Sequence, residues 1–452
     1  MQSVNPATGE LIREYPGHGE DEVARRLERA GAAFRSWSLR PVSERTDLLR
    51  ALADVLRSGL ASHAELMTAE MGKPIAQAEA EVGKCATTCE WYADHAAALL
   101  KPEPAATEAT ASYVRFDTLG VVLAVMPWNF PFWQVIRCAA PALAAGNTVV
   151  LKHASNVPGC ALALEEAFRK AGFPEGAFTT LLVPARAVGE VIAHPAVRGV
   201  SLTGSETAGR QVAALAGASL KKTVLELGGS DAFVVLADAD VEHAAAQAAL
   251  ARTINNGQSC IAAKRFIVEE PVAARFEAAF IASMAALRLG DPRDRAVQVG
   301  PLARPDLVDE LEDQVRRTVA AGAALRLGGQ RQEGTGCYFP PTVLTGVEPG
   351  MAAFDEETFG PVAPVTRARD AEHALELANH SRYGLGGSIW TGDLQRGRAL
   401  AARFEAGAVF VNETVKSDPR VPFGGVKCSG YGRELAAFGL REFVNVKTIW
   451  VR

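Results

Sequence analysis

The fold of this chain is decided by the apolar run Leu119-Gly120-Val121-Val122-Leu123-Ala124-Val125. Its valine-rich composition, without polar alternation, is typical of a β-strand buried on both faces of a parallel sheet. Helical and strand-like segments alternate after it, separated by short turns marked by glycine or proline. This alternation predicts a doubly wound α/β unit, in which ligands bind at the carboxyl ends of the strands.

The alternation continues to about residue 227. We predict strands over 148–151, 179–183, 199–202 and 223–227, and helices over 132–145, 160–171, 187–193 and 206–216. A second unit, about 228–412, also mixes helices with short apolar strands. The first hundred residues read as helical, and Ser43 is the expected N-cap of one helix.

Composition excludes several classes of protein. The chain has 452 residues and a net charge of −5, without a basic stripe, which argues against nucleic-acid binding. No stretch approaches the length of a membrane span, and residues 1–14 do not form a secretory signal. The seven cysteines contain no CxxC pair, which indicates a reducing compartment, taken to be the cytoplasm. The histidines lack HExxH, so no metal site is expected.

Four polar segments follow predicted strands or turns, and each has residue types that suit chemistry. They are 127–131, with Asn129 in a proline-fixed bend; 202–209, with Gly204 and Ser205 before a helix; 226–229, where Glu226 ends a strand; and 255–260, where Cys260 follows a polar turn. Taken singly, each also has an ordinary structural explanation, such as a capped turn or an inert cysteine. No GxGxxG, P-loop or GxSxG motif is present.

Together and in this order, the four segments resemble the aldehyde dehydrogenase superfamily. Further matching motifs are Asn5–Gly9, Lys152, Glu357-Thr358-Phe359-Gly360-Pro361, Pro422–Gly425 and Ser429–Glu434, so the resemblance covers essentially the whole chain. The overall pattern is most similar to the bacterial succinate semialdehyde dehydrogenases.

The resemblance implies a thiol mechanism. Cys260 is the expected nucleophile, Glu226 the general base that activates water, and Asn129 a donor to the oxyanion together with the Cys260 backbone N–H.

The resemblance also implies a dinucleotide site that includes Trp128, Lys152, Gly204, Ser205, Glu357 and Phe359. Many NAD-preferring relatives carry a glutamate where this chain has Ser155, so we expect NADP to be accepted as well as NAD.

The helix after Asn129 suggests the substrate. Trp133 and Arg137 share a face that lines the substrate tunnel in relatives. An arginine there indicates a substrate with a terminal carboxylate, with Ser417 assisting, because an unpaired buried charge is costly. The alternative is that Arg137 pairs with a carboxylate of the protein. Succinate and glutarate semialdehyde are not distinguished. Cys138 stands where relatives often have a lysine that relays protons with the residue matching Glu434.

The resemblance further implies domains and assembly. We assign 1–100 and 120–227 to a dinucleotide-binding domain, 228–428 to a catalytic domain, and 101–119 with 429–452 to a small β oligomerisation element of a homodimer or homotetramer. Other functions considered are a broad-specificity dehydrogenase for neutral aldehydes, a cofactor-independent thiol esterase, and a structural use of the fold.

Overall fold

Strands and helices alternate through most of the chain, and the computed structural model describes all residues, 1–452. The strands are β1 (Gln2–Val4), β2 (Leu11–Glu14), β3 (Glu103–Pro104), β4 (Ala111–Thr118), β5 (Val121–Met126), β6 (Thr148–His153), β7 (Phe178–Thr180), β8 (Val197–Thr203), β9 (Lys222–Glu226), β10 (Asp231–Val235), β11 (Ala263–Glu269), β12 (Ala324–Leu327), β13 (Thr342–Thr345), β14 (Val362–Ala368), β15 (Tyr383–Gly384), β16 (Gly386–Trp390), β17 (Ala408–Val411), β18 (Val426–Lys427), β19 (Gly430–Tyr431) and β20 (Val444–Val451).

The helices are α1 (Glu20–Trp37), α2 (Val42–Ser58), α3 (Leu60–Met71), α4 (Ile75–Leu99), α5 (Trp133–Ala144), α6 (Pro158–Lys170), α7 (Val188–Ala193), α8 (Glu206–Ala218), α9 (Val241–Thr253), α10 (Glu270–Ala285), α11 (Pro305–Ala320), α12 (Ala352–Asp355), α13 (Ala371–Asn379), α14 (Leu394–Ala401) and α15 (Ala436–Glu442). None is both long and apolar enough to cross a membrane.

Two large sheets organise these elements, which confirms the predicted α/β class. The first has the strand order β19-β9-β8-β5-β6-β7 and the second the order β12-β13-β14-β11-β10-β16-β17. Both are parallel except for β19 and β12. In the first sheet the chain runs from β5 outward to β6 and β7, then returns to the other side of β5 as β8 and β9. The strand order therefore reverses beside β5, and such switch points bind ligands in open α/β sheets.

Helices cover the first sheet because its strands are apolar on both faces. Every residue of β6 is buried, and of β5 only Val125 is partly exposed. α2 begins at Val42 after Pro41, and no side chain caps it. The expected N-cap at Ser43 is therefore wrong, because Pro41, the residue before the helix, fixes its start two residues earlier than a cap at Ser43 would.

A third, three-stranded sheet joins β20, β4 and β3. β4 and β20 pair antiparallel over their full lengths, from Ala111 opposite Val451 to Thr118 opposite Val444. One part of the expected bridging element lies elsewhere: Gly430 and Tyr431 add a strand to the first sheet beside Glu226 and Leu225. An added Cβ at Gly430 would collide with the Leu225 carbonyl, so a glycine permits this close approach. The domain boundaries themselves stay a prediction.

Candidate active site

The predicted catalytic segments meet at the carboxyl ends of three neighbouring strands. Asn129 follows β5, Gly204 follows β8, and Glu226 is the last residue of β9, directly opposite Thr203 of β8. Cys260 precedes β11 of the second sheet, so it reaches the site from the other side. The structure thus brings two sheets together around one group of polar side chains.

Asn129 is held by hydrogen bonds on three atoms. Its Nδ2 donates to the Gln258 carbonyl over 3.0 Å, and its Oδ1 accepts from Gln134 Nε2 over 3.0 Å. Its backbone carbonyl accepts from Asn255 Nδ2 over 2.7 Å. The side-chain amide is therefore oriented before any ligand arrives, and it lies against the loop that carries Cys260.

The loop before Cys260 is held in an unusual backbone conformation. Asn255, Asn256 and Gly257 have φ values of 53°, 59° and 77°. Asparagine and glycine tolerate this left-handed region best, which explains why these residue types stand together here. A Cβ on Gly257 would also collide with the Gly360 carbonyl. Such strain, maintained by surrounding contacts, is common in active-site loops.

Cys260 is partly exposed, and its surroundings are mixed in charge. Burial raises the pKa of the thiol to about 12, while the positive charges of Arg137 and Lys264 oppose that rise. Lys264 is fully buried, and its Nζ donates to the carbonyls of Ser259 and Cys260, each over 2.8 Å. Sequence reasoning missed Lys264, because a lysine within an apolar strand shows no motif.

Glu226 is buried, and neither of its carboxylate oxygens has a hydrogen-bond partner. Burial and the negative charge of Glu434 raise the pKa of Glu226 well above its ordinary value, and Arg137 opposes them. An added Cβ at Gly424 would lie 2.6 Å from Glu226 Oε1, so the glycine makes room for the carboxylate. A carboxyl group with a raised pKa suits a general base that works near neutral pH.

A cavity of about 560 Å³ opens beside these residues. Besides Asn129 and Cys260, its lining includes the following residues predicted to bind a dinucleotide: Trp128, Gly204, Ser205, Glu357 and Phe359. Ser205 caps α8, since its Oγ accepts from the Ala208 N–H over 3.3 Å. Glu357 Oε1 accepts from the Gly229 N–H over 3.1 Å and lies 3.3 Å from Lys264 Nζ.

Lys152 and Ser155 do not line this cavity. Lys152 lies near the end of β6, on the other side of β5 from β8, and Ser155 is exposed in the turn that follows. Burial lowers the pKa of Lys152, and no charged group contributes to that shift. The ammonium group of Lys152 forms no ion pair and Ser155 is neutral, so neither residue would repel a phosphate.

Arg137 is buried and forms an ion pair with Glu434. Its Nη2 donates to Thr203 Oγ1 over 3.3 Å, and its guanidinium lies 4.7 Å from the centre of the Phe423 ring. The structure thus realises the alternative in which Arg137 pairs with a protein carboxylate. The charge of Arg137 therefore does not require a substrate anion, because Glu434 already balances it.

A second cavity of about 460 Å³ lies beyond Cys260. Phe130 and Ile261 line it, and they directly follow Asn129 and Cys260, which line the first cavity. The thiol segment therefore separates the two cavities. Trp133 lines the second cavity as expected. Ser417, the other expected substrate residue, is buried and accepts a hydrogen bond from a lysine of that cavity wall.

Known proteins match this chain over almost its whole length. The model of the aldehyde dehydrogenase family matches residues 1–449. The NAD(P)+ succinate semialdehyde dehydrogenase Sad of Escherichia coli (strain K12) is 51% identical over 99% of this chain and 97% of its own length. A probable NADP+ succinate-semialdehyde dehydrogenase of Synechocystis is 50% identical over 100% and 99%.

A solved structure agrees with these relatives. The succinic semialdehyde dehydrogenase of Streptococcus pyogenes, in complex with NADP+, superposes with a TM-score of 0.97 at 38% identity, and the match covers 100% of this chain and 99% of that one. Sequence, fold and the meeting of the four segments point the same way: this chain belongs to the aldehyde dehydrogenase family.

Proposed function

We propose that this protein oxidises succinate semialdehyde to succinate, with NADP or NAD as the hydride acceptor. The observation that carries the proposal is the position of Cys260 between two cavities, with Asn129 in the wall of the first and Glu226 directly before Leu227 and Gly228 of the same wall. Relatives that match along the full chain carry this activity in their names.

The residues of the first cavity suit a dinucleotide. When bound, this group supplies the acceptor for the hydride. The N-terminus of α8, with Gly204 and Ser205, offers backbone N–H groups to a pyrophosphate. Glu357, held by Gly229 and Lys264, offers its carboxylate to ribose hydroxyls. Lys152 and Ser155 lie outside the lining of this cavity, and a lysine without an ion-pair partner and a neutral serine are compatible with the additional phosphate of NADP.

The chain's own residues then perform the carbon chemistry. Cys260 Sγ adds as thiolate to the aldehyde carbon, and the oxyanion accepts hydrogen bonds from Asn129 Nδ2 and the Cys260 N–H. Loss of hydride from that carbon leaves a thioester on Cys260. Glu226 takes a proton from water, and the resulting hydroxide attacks the thioester carbon. The C–S bond then breaks, the acid is released, Cys260 returns to the thiolate, and Glu226 passes its proton to solvent.

The experiment measures reduced nicotinamide by absorbance, with succinic semialdehyde and butyraldehyde as substrates and NAD and NADP as acceptors. Preference for the acid aldehyde supports the proposal, and equal kcat/KM values would return the enzyme to broad specificity for neutral aldehydes. Cys260→Ala should abolish oxidation with every pair. Ester hydrolysis by the wild type at rates rivalling aldehyde oxidation, without a dinucleotide, would favour a thiol esterase.

Assembly and location complete the proposal. The antiparallel pair of β4 and β20 is the segment through which we expect a homodimer or homotetramer to form, and we expect the enzyme in the cytoplasm. Sedimentation of the purified protein tests the first of these expectations.

A further inference from the structure

One face of α4 contacts both chain segments that carry the expected oxyanion donors. Gln77 and Glu81 lie four residues apart, so their side chains lie on the same side of the helix, and both line the second cavity. Asn129 lies in the segment after β5, and Cys260 lies in the loop before β11. Neither residue is part of a helix or strand. The relative position of the two donors therefore depends on the contacts that hold these segments together.

Gln77 holds the loop at a residue with left-handed backbone. Its Oε1 accepts the backbone N–H of Asn255 over 2.6 Å. Asn255 has a φ of 53°, a conformation that persists where surrounding contacts maintain it. The Asn255 side chain also reaches the other segment, since its Nδ2 donates to the Asn129 carbonyl over 2.7 Å and to the Gln258 carbonyl over 3.0 Å. Gln77 is thus connected to Asn129 through one intermediate residue.

Glu81 holds the segment that carries Asn129. Its Oε1 accepts the backbone N–H groups of Phe132 and Trp133, each over 2.9 Å, at the beginning of α5. Such N–H groups have no partner within their own helix, and a carboxylate suits the positive end of the helix dipole. Glu81 also pairs with Lys73, which is fully buried. The carboxylate is therefore fixed, and it fixes the start of α5 close behind Asn129 in the chain.

Resting on the proposed function, we propose that Gln77 is a positioning residue for the oxyanion site, with Glu81 as the fixed point on the other segment. The two expected donors, Asn129 Nδ2 and the Cys260 N–H, come from separate segments, and about one turn of α4 holds both segments. Stabilisation of an oxyanion requires donors about 2.7–3.1 Å from its position, so a small displacement of one segment weakens it. Gln77 acts through the backbone that it holds.

The test uses Gln77 because it is half-buried, so its replacement costs less stability than breaking the buried pair of Glu81 and Lys73. The quantity measured is kcat at saturating aldehyde and dinucleotide for wild type, Gln77→Leu, Asn129→Ala and the double variant. We expect Gln77→Leu to lower kcat about tenfold in the wild-type background, the upper end for one neutral hydrogen bond. In the Asn129→Ala background the same change should lower kcat less than about twofold, because no pair of donors remains to be aligned.

Two further variants test the cause of the loss. Gln77→Glu keeps an oxygen that accepts the Asn255 N–H, so it should restore most of kcat. Gln247→Leu is the matched control: it makes the same change in another residue of the second cavity wall, and Gln247 is hydrogen-bonded to neither segment. Its effect on kcat should be the same factor with and without Asn129, since the two residues share no partner.

The outcomes separate this inference from the proposed function. If the wild type does not oxidise aldehydes, or Cys260→Ala still does, the proposed function is wrong and the role of Gln77 falls with it. If the wild type oxidises aldehydes and Gln77→Leu keeps its kcat, or loses the same factor in both backgrounds, only the positioning role is overturned. Equal losses in Gln77→Glu and Gln77→Leu would also overturn it, as would an unchanged kcat in Asn129→Ala or a dependence of Gln247→Leu on Asn129.

Discussion

The ion pair of Arg137 and Glu434 should set the pH at which Glu226 works. Both partners are buried, and both act on Glu226: the negative charge of Glu434 raises the pKa of Glu226, and the positive charge of Arg137 lowers it. We therefore predict that Glu434→Gln and Arg137→Met move the pH profile of the enzyme in opposite directions.

The sign follows from the role of Glu226 as a base, which requires its deprotonated form. Glu434→Gln removes a negative charge, so the pKa of Glu226 falls and the rising limb of kcat moves to lower pH. Arg137→Met removes a positive charge and moves the limb to higher pH. Two unit charges ~10 Å apart, at an effective dielectric constant of ~20, interact by about 1.7 kcal/mol. That energy corresponds to about 1.2 pKa units, so we expect shifts of roughly one pH unit.

The assay is kcat against pH from 5.5 to 9.5 at saturating aldehyde and dinucleotide, for wild type and both variants. Breaking a buried pair also costs stability, about 3–5 kcal/mol when one partner is removed. Loss of stability alone cannot produce shifts of opposite sign. If both limbs move in the same direction, or neither moves, the electrostatic coupling of the pair to Glu226 is refuted.

Three further predictions concern Asn129, the loop before Cys260, and Ser155. Asn129→Ala should lower kcat by about 10²–10³-fold with a smaller change in KM, because it removes an oxyanion donor. Initial-rate measurements test this, and a loss of kcat smaller than about tenfold would contradict it. Gly257→Ala should lower the free energy of unfolding, measured with urea, by about 1–3 kcal/mol, since the new Cβ would collide with Gly360. The control Gly217→Ala, whose Cβ would meet open space in α8, should not lower it. Ser155→Glu should lower kcat/KM for NADP relative to NAD by at least about tenfold, because the new carboxylate repels a 2′-phosphate; an unchanged ratio would place that phosphate elsewhere.

Much of the fold could be predicted from the sequence, because strands that are buried on both faces of a sheet have a recognisable local composition. Strands such as β5 and β6 are continuous apolar runs, and glycine or proline marks most of the turns between them. Boundaries shifted by a few residues, as at the end of β7, where the predicted strand 179–183 becomes Phe178–Thr180. The local pattern gave the wrong helix start where two start signals lie close together, as Pro41 and Ser43 do at the beginning of α2.

The active site could be predicted from the sequence in part. Asn129, Glu226 and Cys260 stand in recognisable segments, and their proximity follows from the order of the strands. The ion-pair partner of Arg137 could not be predicted from the sequence, since Glu434 lies in a distant segment and only the folded chain places the two side chains together. The lysine that donates to Ser417, Lys84 of α4, could not be assigned to the cavity from sequence either, because a lysine on a helix usually faces solvent and only the folded chain places this one in the cavity wall.

The pairing of β19 with β9 has a consequence for how the enzyme is made. Gly424 makes room for the Glu226 carboxylate, Gly430 pairs with Glu226, and Glu434 supplies the counter-charge of Arg137. A ribosome synthesises this segment only after every strand of the two sheets from β5 to β17. The nascent chain therefore carries its thiol without a finished base while residues 261–424 are added. The residues that complete the hydrolytic half of the site are thus the last of the site to be synthesised, and a chain truncated before this segment would hold the nucleophile without the residues that surround its base.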